Sequence, residues 1–95
     1  MPAFELGDLR SSLDNIDSAL ILLLNERFRL TAKIGAIKRE LELPAVDPER
    51  EAEIFAHISA LAAEIGLDVD FSQRVFRLIV DEAARRHMTL GATKC

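Results

Sequence analysis

The sequence is poor in the residues that build disulfides, metal clusters and base-stacking surfaces. Its 95 residues include one cysteine, the terminal Cys95, and two histidines, while tryptophan and tyrosine are absent. A lone thiol forms no internal disulfide, so nothing requires an oxidising compartment. The histidines, His57 and His87, lie 30 positions apart with no cysteine near them, which is not the spacing of zinc ligands. We therefore expect no metal site.

Basic tracts and long apolar runs are also missing. The net charge is −4, from 12 Lys and Arg against 16 Asp and Glu, which makes nucleic acid and anionic membranes poor partners. The longest apolar run, Ala19–Leu24, is far shorter than the ~20 residues of a membrane span. The segment Met1–Leu6 lacks the basic stretch and apolar core of a secretory signal. These absences predict a cytoplasmic location.

Proline occurs only at Pro2, Pro44 and Pro48, which leaves two long segments that can be helical. In the first segment apolar residues recur at alternating spacings of four and three, a helical pattern kept for more than four heptads. The helix should end near Leu43, because the residue before a proline is pushed out of the α region. The apolar positions of this seam, which starts at Leu9, are Leu13, Ile16, Leu20, Leu23, Leu30, Ile34, Ile37 and Leu41.

Two shorter helices are predicted after the prolines. Asp47-Pro48 reads as an N-cap followed by proline at the first helical position, Gly66 suits a C-terminal cap, and Asp68 can cap a third helix that ends before Gly91. No strand-like alternation is present, so the class is all-α, with one domain over 1–90 and a flexible tail over 91–95. The predicted inner faces are Ile54, Ile58, Leu61 and Ile65 in the second helix, and Phe76, Ile79, Val80 and Ala83 in the third.

The first helix is long for a chain of this size. About 33 residues at ~1.5 Å each give ~50 Å, whereas a compact globule of this length is roughly 30 Å across. Two short helices cannot cover such a seam, so we predict an intertwined homodimeric helical bundle with three helices per chain, one of them very long. The alternative is a break near Gly35, with the chain folding back as a monomeric bundle.

Cationic residues interrupt the apolar faces of all three helices. Taken singly, each is typical of a surface or snorkelling side chain. Because a buried charge without a counterion is costly, the set together predicts a pocket between helices for an anionic small molecule. The residues are Arg27 and Lys38 on the first helix, Arg50 on the second and His87 on the third.

The ordered motifs from Leu9 to His87 resemble the all-helical chorismate mutase family, typified by the mutase domain of the bacterial mutase–prephenate dehydratase. The resemblance implies a homodimeric isomerase that converts chorismate, a dianion, to prephenate in aromatic amino-acid biosynthesis, and that needs no cofactor. The motifs that carry it are Leu9-Arg10, Ile16-Asp17, Leu24-Asn25-Glu26-Arg27, Ile34-Gly35 with Lys38, and the run from Pro44 to Glu51.

The resemblance also assigns roles to the first-helix arginines and to Lys38. Arg27 is expected to bind a substrate carboxylate, and Arg10 to reach into the site of the other subunit. The helical spacing agrees, because Arg10 lies ~25 Å along the helix from Arg27 and one chain cannot place both on a small ligand. Lys38 is expected to donate to the ether oxygen of the bond that breaks.

On the second helix, the resemblance implies that Arg50 holds the ring carboxylate, while Asp47 and Glu51 meet the ring hydroxyl. Two positions of the third helix depart from the family pattern. Ala83 stands where the family has a serine, and His87 where it has a glutamine or a glutamate. Because an imidazole donates a hydrogen bond and gains a charge on protonation, we hypothesise that His87 replaces the glutamine and that activity rises as the pH falls. Arg86 is an alternative replacement for the serine.

Two other functions fit the same residues. Isochorismate–pyruvate lyases and 4-amino-4-deoxychorismate mutases bind a similar dianion on this scaffold, so the cationic residues do not discriminate between them. A catalytically inactive dimerisation or regulatory module is the third interpretation, which Ala83 and His87 keep open.

Overall fold

The computed structural model describes the backbone of residues 2–94 and the side chains of residues 5–88. These residues form three helices, α1 (Pro2–Glu40), α2 (Pro48–Ile65) and α3 (Val69–Lys94), and no strand, which confirms the all-α class. The chain divides into two compact units, which we call the first unit (Met1–Thr31) and the second unit (Ala32–Cys95). No helix in the described part of the chain combines the length and apolar character that a membrane span requires.

The first unit is helical from Pro2 onward and displays its apolar seam. Each seam residue in this unit is at least 48% exposed, although leucine and isoleucine are usually among the most buried residue types. A helix with this apolar stripe ordinarily buries it against another element. The exposed residues of the seam are Leu9, Leu13, Ile16, Leu20, Leu23 and Leu30.

In the second unit α1 ends at Glu40, earlier than the predicted Leu43. Leu43 N donates to Lys38 O (2.7 Å) and Glu42 N to Arg39 O (3.2 Å), the pair of bonds that defines a Schellman motif. Glu42 takes the left-handed conformation that this motif requires, with φ of 57°. The helix is therefore stopped by this reversal before the influence of Pro44 begins.

Helices α2 and α3 begin and are joined as predicted. Asp47 Oδ1 accepts from Arg50 N (3.2 Å), and Asp68 Oδ1 accepts from Phe71 N (2.8 Å), so both aspartates are N-caps. Gly66 ends α2 in the left-handed conformation, with φ of 77°. The reversal at residues 66–68 lets α3 run back along α2 and pack against it.

The core of the second unit lies between these two helices. Its buried apolar residues are Ala62, Val80 and Ala83, and Phe76 and Ile79 are half-buried, as predicted for α3. The α2 face is rotated from the prediction, because Ala62 is buried whereas Leu61 and Ile65 are exposed. Small Ala62 thus allows the close approach of α3.

The C-terminal end of α3 differs from the prediction. The helix continues through Lys94 and does not end before Gly91. His87 is consequently inside the helix rather than in its last turn. Cys95 lies outside the described residues, and the tail over 91–95 stays a prediction.

Candidate active site

Lys38 lies in the last turn of α1, at the start of the loop that leads to α2. Its side chain is half-buried, and Nζ donates a hydrogen bond to the Ala45 carbonyl at 3.2 Å. An ammonium group carries three donors, so this bond leaves donors for another acceptor. The ammonium is thereby held beside the loop that carries Asp47.

The His87 ring packs directly against the backbone of α1. A Cβ built on Gly35 would lie 2.6 Å from His87 Cδ2 and 2.8 Å from Nε2, closer than real Cβ atoms approach. The imidazole therefore occupies space that only glycine leaves open. His87 is 8% exposed, and Ala83, one turn earlier on α3, is 7% exposed. Because Gly35 and Lys38 are one turn apart on α1, the structure brings Lys38 and His87 to the same stretch of that helix.

The N-cap and the first turn of α2 carry the other three predicted residues of the second unit. One Asp47 oxygen is used in capping the helix. Arg50 is exposed, and its Nη1 pairs with Glu53 Oε1 at 3.2 Å, so a role in binding a carboxylate requires the guanidinium to exchange this partner. The Glu51 side chain is only 22% exposed and accepts a hydrogen bond from Arg77 on α3.

Arg77 was not predicted from the sequence, although it contacts a predicted site residue. Its Nη1 lies 3.1 Å from Glu51 Oε1 and 3.1 Å from Asp81 Oδ1, and its guanidinium stands 4.3 Å from the centre of the Phe55 ring. The hydrogen bonds that Arg77 donates to Asp81 and then to Glu51 raise the pKa of Arg77. The spacing of Arg77 and Asp81 is that of an ordinary helix-surface pair, while Glu51 is 26 residues away, so only the fold reveals the contact.

Arg10 and Arg27 belong to the first unit. Arg10 is exposed, whereas Arg27 is half-buried with its Nη1 atom shielded from solvent. Along the helix they are separated by about 25 Å, so the two guanidinium groups of one chain do not converge on a small ligand.

Within the second unit, an ammonium group, an imidazole and a carboxylate with a fixed cationic partner are held on three helices. The ammonium and the imidazole can donate hydrogen bonds to an oxygen atom on which negative charge develops, and the carboxylate can accept a hydrogen bond from a small molecule. The fold is all-helical, and this set of side chains is of the kind that a site for a small polar molecule uses. The profile of the chorismate mutase type II family matches residues 9–88, and the chain belongs to this family.

Curated relatives agree with the family assignment. The bifunctional chorismate mutase/prephenate dehydratase of Aquifex aeolicus is 48% identical over 64% of this chain, which spans 17% of that protein. The chorismate mutase of Methanocaldococcus jannaschii is 31% identical over 81% of this chain and 78% of its own length. The 4-amino-4-deoxychorismate mutase of Streptomyces pristinaespiralis is 32% identical over 84% of this chain and 62% of its own length. The predicted resemblance is confirmed, while the roles of individual residues stay predictions.

Proposed function

We propose that the protein is a chorismate mutase, an isomerase that converts chorismate to prephenate in aromatic amino-acid biosynthesis. The observation that carries the proposal is the family match over residues 9–88, which includes Lys38 in the last turn of α1. The relatives do not favour the alternatives, which are the lyase, the 4-amino-4-deoxychorismate mutase and the inactive module. A direct assay with both substrates tests chorismate against its 4-amino analogue.

The rearrangement requires no covalent bond between the protein and the substrate. One carbon–oxygen bond breaks and one carbon–carbon bond forms within the substrate, so no nucleophile, base or electron carrier takes part. Rate enhancement then comes from holding the substrate in its reactive conformation and from stabilising negative charge on the ether oxygen. Lys38 and His87 are the donors we assign to that oxygen, because the His87 ring of α3 packs against α1 at Gly35, one turn before Lys38.

The other predicted residues serve binding in this proposal. Arg27 and Arg50 bind substrate carboxylates, since a planar guanidinium can hold both carboxylate oxygens. Glu51 accepts a hydrogen bond from the ring hydroxyl. Asp47 contacts the same hydroxyl with the carboxylate oxygen that does not cap α2. Ala83 contributes an apolar wall without a hydrogen bond.

The exposed seam of α1 supports the homodimer. We infer that a second copy covers the seam, that α1 acts as one very long helix in an intertwined bundle, and that Arg10 enters the site of the partner copy. Apolar side chains such as Leu20 and Leu23 are more than half exposed in one chain. Their removal from water by a second copy would stabilise the dimer. The cytoplasmic location is part of the same proposal.

The test is incubation of the purified chain with chorismate, following its loss by absorbance and identifying the product by chromatography. We expect prephenate, and we expect Lys38→Ala to lower kcat by about 100-fold or more, as removal of a transition-state donor does. Lys33→Ala is the matched control, because Lys33 is an exposed lysine of the same helix and its loss should leave the rate unchanged. Absence of turnover by the parent chain, or an active Lys38→Ala variant, would contradict the proposal.

A further inference from the structure

We propose that Arg77 is a specificity-determining residue that acts through Glu51 and favours a substrate ring bearing a neutral hydroxyl over one bearing an ammonium group. The inference rests on the proposed function, because it takes Glu51 as the residue that meets the ring substituent. The geometry of Arg77 itself is independent of that function.

Three contacts fix the Arg77 guanidinium. Glu51 and Phe55 approach it from α2, at 3.1 Å and at 4.3 Å from the ring centre, and Asp81 approaches it from α3 at 3.1 Å. A guanidinium is charged at every pH a protein tolerates. Glu51 therefore presents to a ligand a carboxylate that already has a permanent cationic partner.

A ring hydroxyl and a ring ammonium respond differently to this arrangement. The hydroxyl needs one free lone pair of Glu51 and carries no charge, so the nearby guanidinium leaves its binding almost unchanged. An ammonium hydrogen-bonded to the same carboxylate would stand about 5 Å from the guanidinium, as two such bonds to one carboxylate dictate. Like charges at that separation repel, so the cationic substituent binds less well.

The size of the effect is limited by solvent. The Arg77 side chain is 49% exposed, so water and salt screen part of the repulsion. Replacing Arg77 by a neutral residue removes one positive charge, which leaves the carboxylates of Glu51 and Asp81 without their shared cation and makes the site more favourable for an ammonium. We therefore expect the preference for the hydroxyl-bearing substrate to fall by about 3- to 10-fold.

The hydroxyl and amino substituents that Arg77 is proposed to discriminate distinguish the substrates named for two relatives of this chain. The relatives include a chorismate mutase and a 4-amino-4-deoxychorismate mutase at nearly equal identity, 31% and 32%. The nearly equal identity to these two relatives does not show which residue separates the two substrates. A residue that contacts Glu51 from another helix is a physical basis for separating them.

The test compares kcat/KM for chorismate and for 4-amino-4-deoxychorismate in the parent, Arg77→Gln and Arg77→Lys. We expect Arg77→Gln to lower the chorismate-to-amino ratio by about 3- to 10-fold, Arg77→Lys to keep the parent ratio, and added salt to shrink the difference. Arg74→Gln is the matched control, since Arg74 is an exposed arginine of the same helix that pairs with Asp70 and stacks near Phe71 instead. Its ratio should equal that of the parent.

The outcomes separate the inference from the proposed function. A parent that turns over chorismate while Arg77→Gln keeps its ratio overturns the inference alone, as does an equal loss on both substrates, which indicates a purely structural role. Equal shifts in Arg77→Gln and Arg74→Gln indicate a general effect of charge and also overturn it. A parent inactive on both substrates overturns the proposed function, and the inference with it.

Discussion

The contact between Gly35 and His87 restricts which residue can stand at position 35. A Cβ at position 35 would lie 2.6 Å from His87 Cδ2, so the ring of this buried α3 residue would have to shift to accommodate it. We expect Gly35→Ala to displace the imidazole, to destabilise the fold by about 1–3 kcal/mol, and to lower kcat by roughly 10-fold or more with a smaller change in KM. Steady-state kinetics and urea unfolding measure both effects.

Gly7→Ala is the control for this substitution. Gly7 is also in α1, and a Cβ there meets nothing within 4 Å, so alanine should stabilise the helix by up to about 1 kcal/mol. Combining Gly35→Ala with His87→Ala should cost less than the sum of the two, because the clash is gone. Additive losses would show that the ring is not what Gly35 accommodates. That His87 makes activity pH-dependent stays a prediction.

At the scale of single residues, the sequence predicted several residues of the candidate site but missed one of their contacts. Lys38, Glu51 and His87 could be proposed because they break an apolar pattern or match a family motif. Arg77 could not, since its contact with Glu51 joins two helices and no local pattern marks it. The left-handed conformation of Glu42 could not be predicted either, because glycine is the residue that normally signals such a reversal.

At the scale of one element, α3 carries a cluster of charges that ties its stability to pH. Glu82 accepts hydrogen bonds from Arg85 at 2.7 and 3.0 Å and from Arg86 at 2.8 Å. The Arg85 and then the Arg86 bonds lower the pKa of Glu82 from 4.5 to about 2. Arg86 is therefore engaged with Glu82 along the helix, which does not favour it as the replacement for the serine.

The direction of the pH effect follows from the lowered pKa of Glu82. A carboxylate with a depressed folded-state pKa stabilises the fold above its ordinary value and loses that contribution as the pH falls toward the depressed one. We expect Glu82→Gln to reduce the parent's loss of stability between about pH 4.5 and 2, measured as the urea midpoint at each pH. Glu64→Gln, which replaces an exposed α2 glutamate, should follow the parent curve, and identical curves for all three proteins would contradict the prediction.

Elements as such were largely predictable from the sequence. Asp47, Gly66 and Asp68 mark the boundaries of α2 and α3 because capping is local chemistry that the structure reproduces. The α2 face was rotated because the buried position, Ala62, is chosen by the approach of α3 and not by apolar spacing within α2. Packing against α3 therefore determines which face of α2 is buried, and the spacing of apolar residues within α2 does not.

For the whole molecule, the exposed seam leads to a prediction about assembly. We expect Leu20→Glu to raise the dimer Kd by roughly 100-fold or more, because it places a charge where the proposed partner buries a leucine. Activity should fall with it, since Arg10 is proposed to act across subunits. Sedimentation over a range of concentrations measures the mass.

Ser18→Glu adds the same charge on the opposite side of the helix from Leu20 and should leave the mass unchanged. If Leu20→Glu keeps the parent's mass, the seam is not the interface. If both variants dissociate, charge on the first unit is responsible and not the loss of an apolar contact.

The short reversal at residues 66–68 has a consequence for how quickly the chain folds. Contacts between α2 and α3 close only a short loop, and local contacts of this kind form in microseconds to milliseconds. The pairing of seams from two chains is a bimolecular encounter and becomes slower as the protein is diluted. Refolding should therefore show a fast phase independent of concentration, in which this hairpin forms, followed by a slower phase whose rate rises with protein concentration and which accompanies the return of activity.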